Sequence, residues 1–250
     1  MRHADLSQDE RLQRWHQHGY FVVRAFASAA EIHTLRRSCD RVLERKRRAS
    51  QSIGHTTTHI DGLLDPVEFG DEPQRLQQLL EFFGSARLCA LLRDLAPASA
   101  GDPWLKTLQY FHEPTVRDWQ GAWHRDSQFG RSDAEVERAY MRSLTAVRFR
   151  VACLQDDRLE LVPGTHARWD TDEELAIRKR QALAGLVVPV EPSADVAMPG
   201  AERVVLEPGD ACVFHAWMIH RGSYTRSPAR RTLDGFFRYG REPGRLGAGL

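Results

Sequence analysis

Residues 121–126 read Gly121-Ala122-Trp123-His124-Arg125-Asp126, and the last three positions carry the argument. In an extended strand, side chains two apart project to one face, so His124 and Asp126 can direct an imidazole nitrogen and a carboxylate oxygen at one point. His220, 96 residues downstream (220 − 124), completes a set of two imidazoles and one carboxylate. That set suits ferrous iron, because three protein ligands on one side of the metal leave open positions, whereas three His would point toward zinc. A His two places before an acid is a weak signal by itself: 11 × 34/250 gives about 1.5 such pairs by chance. Three occur with Asp, namely His3-Ala4-Asp5, His59-Ile60-Asp61 and His124-Arg125-Asp126, and their surroundings must choose among them.

Around 121–126 the chain reads as strands broken by turns. Strand-like runs are Trp104 to His112, Gly121 to His124, Ser143 to Leu154, Arg158 to Val162, Leu186 to Val190, Arg203 to Leu206, Ala211 to His215 and Thr232 to Tyr239. Runs at this spacing predict a double-sheet β architecture such as a jelly roll. Upstream the character is helical. Ser7-x-x-Glu10 and Ser28-x-x-Glu31 are capping boxes, the first helix ending at Gly19 before a strand from Tyr20 to Phe26. Ile32, Leu35, Cys39, Val42 and Leu43 fall at helical spacing in the second helix. Helices are also predicted from Pro73 and Ser85, and at the boxes Ser132-x-x-Glu135 and Thr171-x-x-Glu174. Residues 50–70, rich in Gly, Thr and His, read as a loop and a candidate lid. The expectation is one domain over 1–250, α+β and mainly β, with a helical preamble over 1–100 and a jelly-roll core over about 104–240.

Composition narrows the partners. A formal charge of +1 gives no reason to expect nucleic acid or an anionic membrane. Neither a secretory signal nor an 18-residue apolar run is present in the sequence, so a cytoplasmic location is expected. Cys39, Cys89, Cys153 and Cys212 are widely spaced without a C-x-x-C and fit reduced, small buried side chains. Oligomeric state leaves no mark on the sequence.

The chain resembles the phytanoyl-CoA dioxygenase family of iron(II)/2-oxoglutarate oxygenases. The matching pieces are Gly19-Tyr20-Phe21-Val22-Val23, residues 121–126, Leu161-Val162-Pro163-Gly164-Thr165-His166, the Pro208-Gly209-Asp210 turn, and His220 with Arg231 eleven places on. The resemblance implies a double-stranded β-helix of the cupin-like jelly-roll kind and an oxidoreductase that uses iron(II), 2-oxoglutarate and O2. It assigns His124, Asp126 and His220 to the metal and Arg231 to the distal carboxylate of 2-oxoglutarate, with Arg230 on the opposite strand face. A guanidinium suits that task because its fork meets a carboxylate with two parallel hydrogen bonds. Gln109 matches a position that helps hold 2-oxoglutarate, with Thr107 or Lys106 as alternatives.

The implied reaction is hydroxylation of a small molecule, an amino acid or natural-product intermediate, with release of succinate and CO2. Asp126 bears on this, because halogenating relatives carry Ala or Gly there. Desaturation, cyclisation and epimerisation begin with the same hydrogen abstraction and stay open, as does a noncatalytic jelly-roll binding protein. Arg148 and Arg150 share one strand face, and must meet solvent, acids or an anionic substrate or co-substrate. His59 and Thr57 become substrate contacts if the 50–70 segment covers the site. His215 could compete with His220 for the metal, and the spacing to Arg231 favours His220.

Overall fold

The computed structural model describes residues 6–49, 58–129, 133–143, 145–181, 189–190 and 195–240. His3, Asp5, His55, Thr57, Ser132 and residues 186–188 of the expected Leu186 to Val190 run lie outside them.

Helix α1 (Gln8–His18) opens on the expected capping box, with Ser7 and Glu10 each capping the other's backbone N–H, and closes at Gly19. Gly19 has φ 81°, and a Cβ there would lie 2.4 Å from His166 Nδ1, so both the turn and the close approach require glycine. Strand β1 (Tyr20–Val23) is shorter than expected, because Ala25 at φ 46° turns the chain. The Ser28/Glu31 box starts α2 (Ala29–Ala49). The 50–70 segment is not all loop: β2 (His59–Ile60) and a 3-10 turn, Pro66–Phe69, occupy its described part. Helices α3 (Pro73–Phe83) and α4 (Ala86–Arg93) complete the preamble.

The core follows as β3 (Pro103–His112), β4 (Trp119–Gly121), α5 (Ala134–Ser143), β5 (Ala146–Ala152), β6 (Asp156–Leu161), α6 (Asp172–Gln181), β7 (Pro189–Val190), β8 (Glu202–Leu206), β9 (Ala211–His215), β10 (His220–Tyr224) and β11 (Arg231–Tyr239). Thr171 and Glu174 form the expected box at α6, while Asp133 accepts the Glu135 and Val136 N–H groups to cap α5. Two antiparallel sheets face each other, ordered β1-β9-β5-β11-β3-β2 and β7-β4-β10-β6-β8. This is the jelly roll that the spacing of the runs predicts. No helix among the described residues is long and apolar enough to cross a membrane, and all four cysteines are free thiols.

Strand β5 sets the division between the two sides of the larger sheet. Its Val147, Phe149 and Val151 join the apolar core with Ile32, Leu35, Val42 and Leu43 of α2 and Leu79 and Phe83 of α3. The alternate residues, Arg148 and Arg150, therefore face the smaller sheet. Strand β11 obeys the same rule, with Leu233 and Phe237 in the helix-side core and Thr232, Asp234 and Phe236 on the inner face. Phe149 is fully buried and meets Phe26 at 5.0 Å, Phe83 at 6.1 Å and Phe82 at 6.4 Å between ring centroids. It is the central tie between sheet and helices. Phe149→Ala is expected to remove about 3–5 kcal/mol of unfolding free energy, read from urea denaturation.

Two histidines outside the site give the fold an acid limit. Burial pushes His112 down to about 4, with Arg47 adding to the effect, and burial pushes His215 down to about 3, helped by His166 and Arg125. Both stay neutral in the folded chain while the unfolded chain takes up protons below its ordinary value near 6.5. Stability is thus full above about pH 6.5 and is lost as pH falls toward these depressed values, at up to about 1.4 kcal/mol per pH unit for each histidine. The urea midpoint should fall between pH 7 and 4.5, and His215→Gln should flatten that slope. An unchanged slope in the variant would show that His215 is not a source of it.

Candidate metal centre

Beyond β4 the chain reaches His124, which pairs with the first residue of β10. His124 N donates to His220 O at 3.0 Å, and His220 N donates to His124 O at 2.9 Å. This two-residue antiparallel bridge sets both rings on the inner face, 4.2 Å apart between centroids. The rings are also held in one tautomer. His124 Nδ1 lies 2.8 Å from Ala122 O and His220 Nδ1 lies 2.9 Å from Met218 O, so each Nδ1–H donates and each Nε2 keeps its lone pair.

Those two Nε2 atoms converge on Asp126 Oδ1, at 3.9 Å from His124 and 3.8 Å from His220. Among the described residues this is the one group of three or more His, Cys, Asp or Glu side chains gathered closely enough to hold a metal ion, with ligand atoms all within 4.8 Å. Burial pushes His124 down to about 3 and lowers His220 as well. Burial would raise Asp126, but Arg148 first and then His220 outweigh it and hold the carboxyl at about 2. Two neutral imidazoles and an ionised carboxylate are thus ready at neutral pH, and a cation would displace no proton from them.

Arg125, between the two ligands, points the other way and is fully buried. Its Nε and Nη2 donate to Asp170 Oδ1 at 2.8 and 2.6 Å, while Nη1 donates to Thr165 O at 2.5 Å and also to Trp217 O. Thr165 Oγ1 in turn accepts the Ile219 N–H at 3.0 Å, immediately before His220. One guanidinium therefore ties the His124–Asp126 segment to both the Pro163–His166 turn and the turn that delivers His220. Nothing in the sequence distinguishes this arginine from a solvated one, because its partners come from 40 to 92 residues away.

The remaining expected residues divide. Arg148 reaches the trio, its Nε donating to Asp126 Oδ2 at 2.7 Å and its Nη1 to Gln109 Oε1 at 3.0 Å. Arg150 sits deeper and grips Asp234 Oδ2 through Nε at 3.0 Å and Nη2 at 2.8 Å, leaving Nη1 buried without a partner. Gln109 meets Arg148 on one side and donates from Nε2 to Asp61 Oδ1 at 2.6 Å on the other, so its amide has protein partners at both ends. Of its alternatives, Thr107 is exposed and Lys106 falls at a β-bulge opposite Phe236 and Phe237. His59 pairs with Asp61 at 3.1 Å and packs on Phe111, two links further from the trio than Gln109. His215 stacks on Trp15 at 5.4 Å and stays out of the trio.

Arg231 stands apart from the trio. Its side chain lies on the helix side of β11, where Nε donates to Asp40 Oδ1 at 2.7 Å and Nη1 to Glu113 Oε2. Strand alternation explains this, since Arg231 shares its face with Leu233, which packs with Tyr110 in the helix-side core. Arg230 takes the inner face instead. It is 1% exposed, with its guanidinium 4.9 Å from the Phe111 ring and 5.5 Å from the Tyr224 ring. Nη2 donates to Asp156 Oδ2 at 3.2 Å, while Nε and Nη1 are buried without partners. Burial lowers its pKa, against the charge of Asp156. Two unpartnered donors on a buried cation mark a place shaped for an anion.

A model of the family described as phytanoyl-CoA dioxygenase matches residues 15–233. No curated protein matches by sequence. Among solved structures, AviO1 from Streptomyces viridochromogenes Tue57 superposes with a TM-score of 0.64 at 16% identity, over 97% of this chain and 99% of that one. EctD from S. alaskensis with 2-oxoglutarate and 5-hydroxyectoine gives 0.62 at 16% identity, over 95% and 77%. The non-heme alpha ketoglutarate dependent carbocyclase SnoK from nogalamycin biosynthesis gives 0.62 at 15% identity, over 94% and 84%. At these identities the likeness establishes the shared fold.

Breaking a buried charge pair leaves the other charge uncompensated, which typically costs about 3–5 kcal/mol. Arg125→Met should lose unfolding free energy in that range in urea, with Asp170 left facing Arg178 alone. A loss below about 1 kcal/mol would show that Arg125 does not hold the two segments together.

Proposed function

The chain belongs to the phytanoyl-CoA dioxygenase family, and on that premise we propose that it is an iron(II)- and 2-oxoglutarate-dependent dioxygenase that hydroxylates a small molecule. The observation that carries the reading is the buried His124, Asp126 and His220 trio, with both Nε2 lone pairs and one carboxylate oxygen turned to a common point. Two imidazoles and one carboxylate fit ferrous iron and leave positions for a chelating co-substrate and oxygen.

The residues around the trio fit the co-substrate as well. Arg230 is proposed as the anchor of the distal carboxylate, in place of Arg231, supported by its unpartnered Nε and Nη1. Gly222 leaves the inner face of β10 bare between His220 and Tyr224, where a Cβ would come within 3.0 Å of Tyr224 Oη. The buried ion pairs also favour an anion: Arg148 and Arg150 share Asp126 and Asp234, and Arg158 and Arg230 share Asp156, four cations to three carboxylates. One carboxylate of a bound acid suits that excess of one positive charge.

The metal, with its co-substrate and oxygen, would supply the oxidising power to cleave a substrate C–H bond. The protein's own part is to hold its three ligands ready, to neutralise the distal carboxylate through Arg230, and to keep water from the reacting face with Phe214 and Phe129, which pack at 5.4 Å from the His220 and His124 rings. Asp126 fills the position that a halide would need, which supports oxygen transfer over halogenation. An amino acid or a natural-product intermediate is the proposed substrate class. Ring closure is the second reading, favoured by the likeness to a carbocyclase, and it would use the same ligands. A reducing, cytoplasmic setting is proposed with it, supported by the four free thiols.

Anaerobic titration of apo-protein with iron(II) and 2-oxoglutarate should give a weak visible charge-transfer band, which Asp126→Ala should weaken. Arg230→Gln should weaken 2-oxoglutarate binding by about 30-fold or more, equivalent to about 2 kcal/mol for a truncated buried charge pair. Arg231→Gln should change it by less than about threefold, about 0.7 kcal/mol. The reverse order would return the anchor to Arg231, and a wild type without the band would sink the oxygenase reading.

A further inference from the structure

We propose that Arg148 is a positioning residue that keeps Asp126 a one-oxygen ligand, and that Gln109 acts through it rather than on the co-substrate. This rests on the oxygenase reading and goes beyond it, since nothing in a two-His, one-carboxylate set fixes how the carboxylate is used.

The two oxygens of Asp126 have separate surroundings. Oδ1 faces both histidine Nε2 atoms, whereas Oδ2 accepts the Arg148 Nε–H at 2.7 Å. A guanidinium can only donate, so Oδ2 is committed to Arg148 and turned from the point where the ligands converge. Arg148 is itself braced on three further sides. Its Nη1 lies 3.0 Å from Gln109 Oε1 and 3.4 Å from Asp234 Oδ1, and its guanidinium lies 4.7 Å from the Phe236 ring. Gln109 is oriented in turn by Asp61, because a carboxylate can only accept and an arginine can only donate, which fixes the amide with its oxygen toward Arg148. Asp61 pairs with His59 of β2 at 3.1 Å. A continuous line of side chains thus runs from the metal carboxylate to the edge strand of the larger sheet.

The consequence is the number of open metal positions. Without Arg148, Oδ2 would be a buried carboxylate oxygen lacking its charged donor, and the nearest positive charge would be the metal. A carboxylate gripping through both oxygens would occupy the position that oxygen needs after the co-substrate has bound. Orientation of a ligand by its outer partner is worth roughly 10- to 100-fold in comparable sites.

The test uses nitric oxide as a probe of the open position on full-length protein loaded anaerobically with iron(II) and 2-oxoglutarate, read by electron paramagnetic resonance. Arg148→Met should keep the charge-transfer band but bind nitric oxide at least about 10-fold more weakly. Arg148→Lys, which can still donate to Oδ2, should recover most of that loss. Nitric oxide binding by Arg148→Met within twofold of wild type overturns the inference. So does loss of the charge-transfer band from a folded Arg148→Met, since Arg148 would then hold the co-substrate. Should Arg148→Met fail to fold, Gln109→Leu decides: a weaker loss in the same direction supports the brace, and an unchanged affinity overturns it. A wild type without the band fails at the oxygenase reading itself, a different result from any of these.

Discussion

The reciprocal main-chain hydrogen bonds between His124 and His220 are the contact on which the site depends. They join two segments nearly a hundred residues apart in sequence, and they do so at the ligands themselves rather than nearby. Because the two residues form a directly opposed antiparallel pair, both side chains must leave on the same face. Coincidence of the two imidazoles is thus a property of the backbone, and only the third ligand needs separate placement. Asp126 receives it from a short 3-10 turn at Asp126–Gln128, whose first N–H is held by Ala216 O at 3.1 Å.

The alternation of β5 explains why a polar interior survives beside an apolar core. Val147, Phe149 and Val151 bury against helices, which obliges Arg148 and Arg150 to enter the space between the sheets. Buried guanidiniums without partners would be costly, and Asp126 and Asp234 meet that cost for Arg148 and Arg150, as Asp156 does for Arg230. An apolar filling would be as stable or more so. The charges make sense as parts of a site whose remaining anion is a ligand.

Much of this architecture was legible in the sequence. Capping boxes at Ser7, Ser28 and Thr171 are local chemistry and stand where expected, and the strand runs from residue 104 onward announce two facing sheets. The ligand trio was legible because His-x-Asp obeys strand periodicity. Strand β10 was not, since His220-Arg221-Gly222-Ser223-Tyr224 faces the polar interior and carries a glycine, so its apolar alternation is missing. Which of Arg230 and Arg231 takes the inner face was also hidden. Two adjacent arginines differ only in strand face, which is decided by the packing of Leu233 with Tyr110 across β11 and β3. Strand β2 and the partners of Gln109 escaped for a related reason: Gln109 was singled out, but its contacts with Arg148 and Asp61 are ones that no local pattern announces.

Two arginines of opposite orientation hold the third ligand, and the division of labour between them follows from geometry. Arg125 belongs to the ligand segment and anchors its backbone outward, to Asp170 and to the carbonyls of Thr165 and Trp217. Arg148 belongs to the facing sheet and holds the Asp126 side chain inward. With the backbone fixed by one and the carboxylate rotation by the other, little rotamer freedom remains for a metal to remove on binding. Neither could replace the other. A guanidinium in the Arg125 position cannot reach the inner face without reversing His124 and Asp126, since neighbours in an extended segment alternate. The residue between the ligands is therefore required to serve the scaffold, and control over the ligand carboxylate has to come from a different strand.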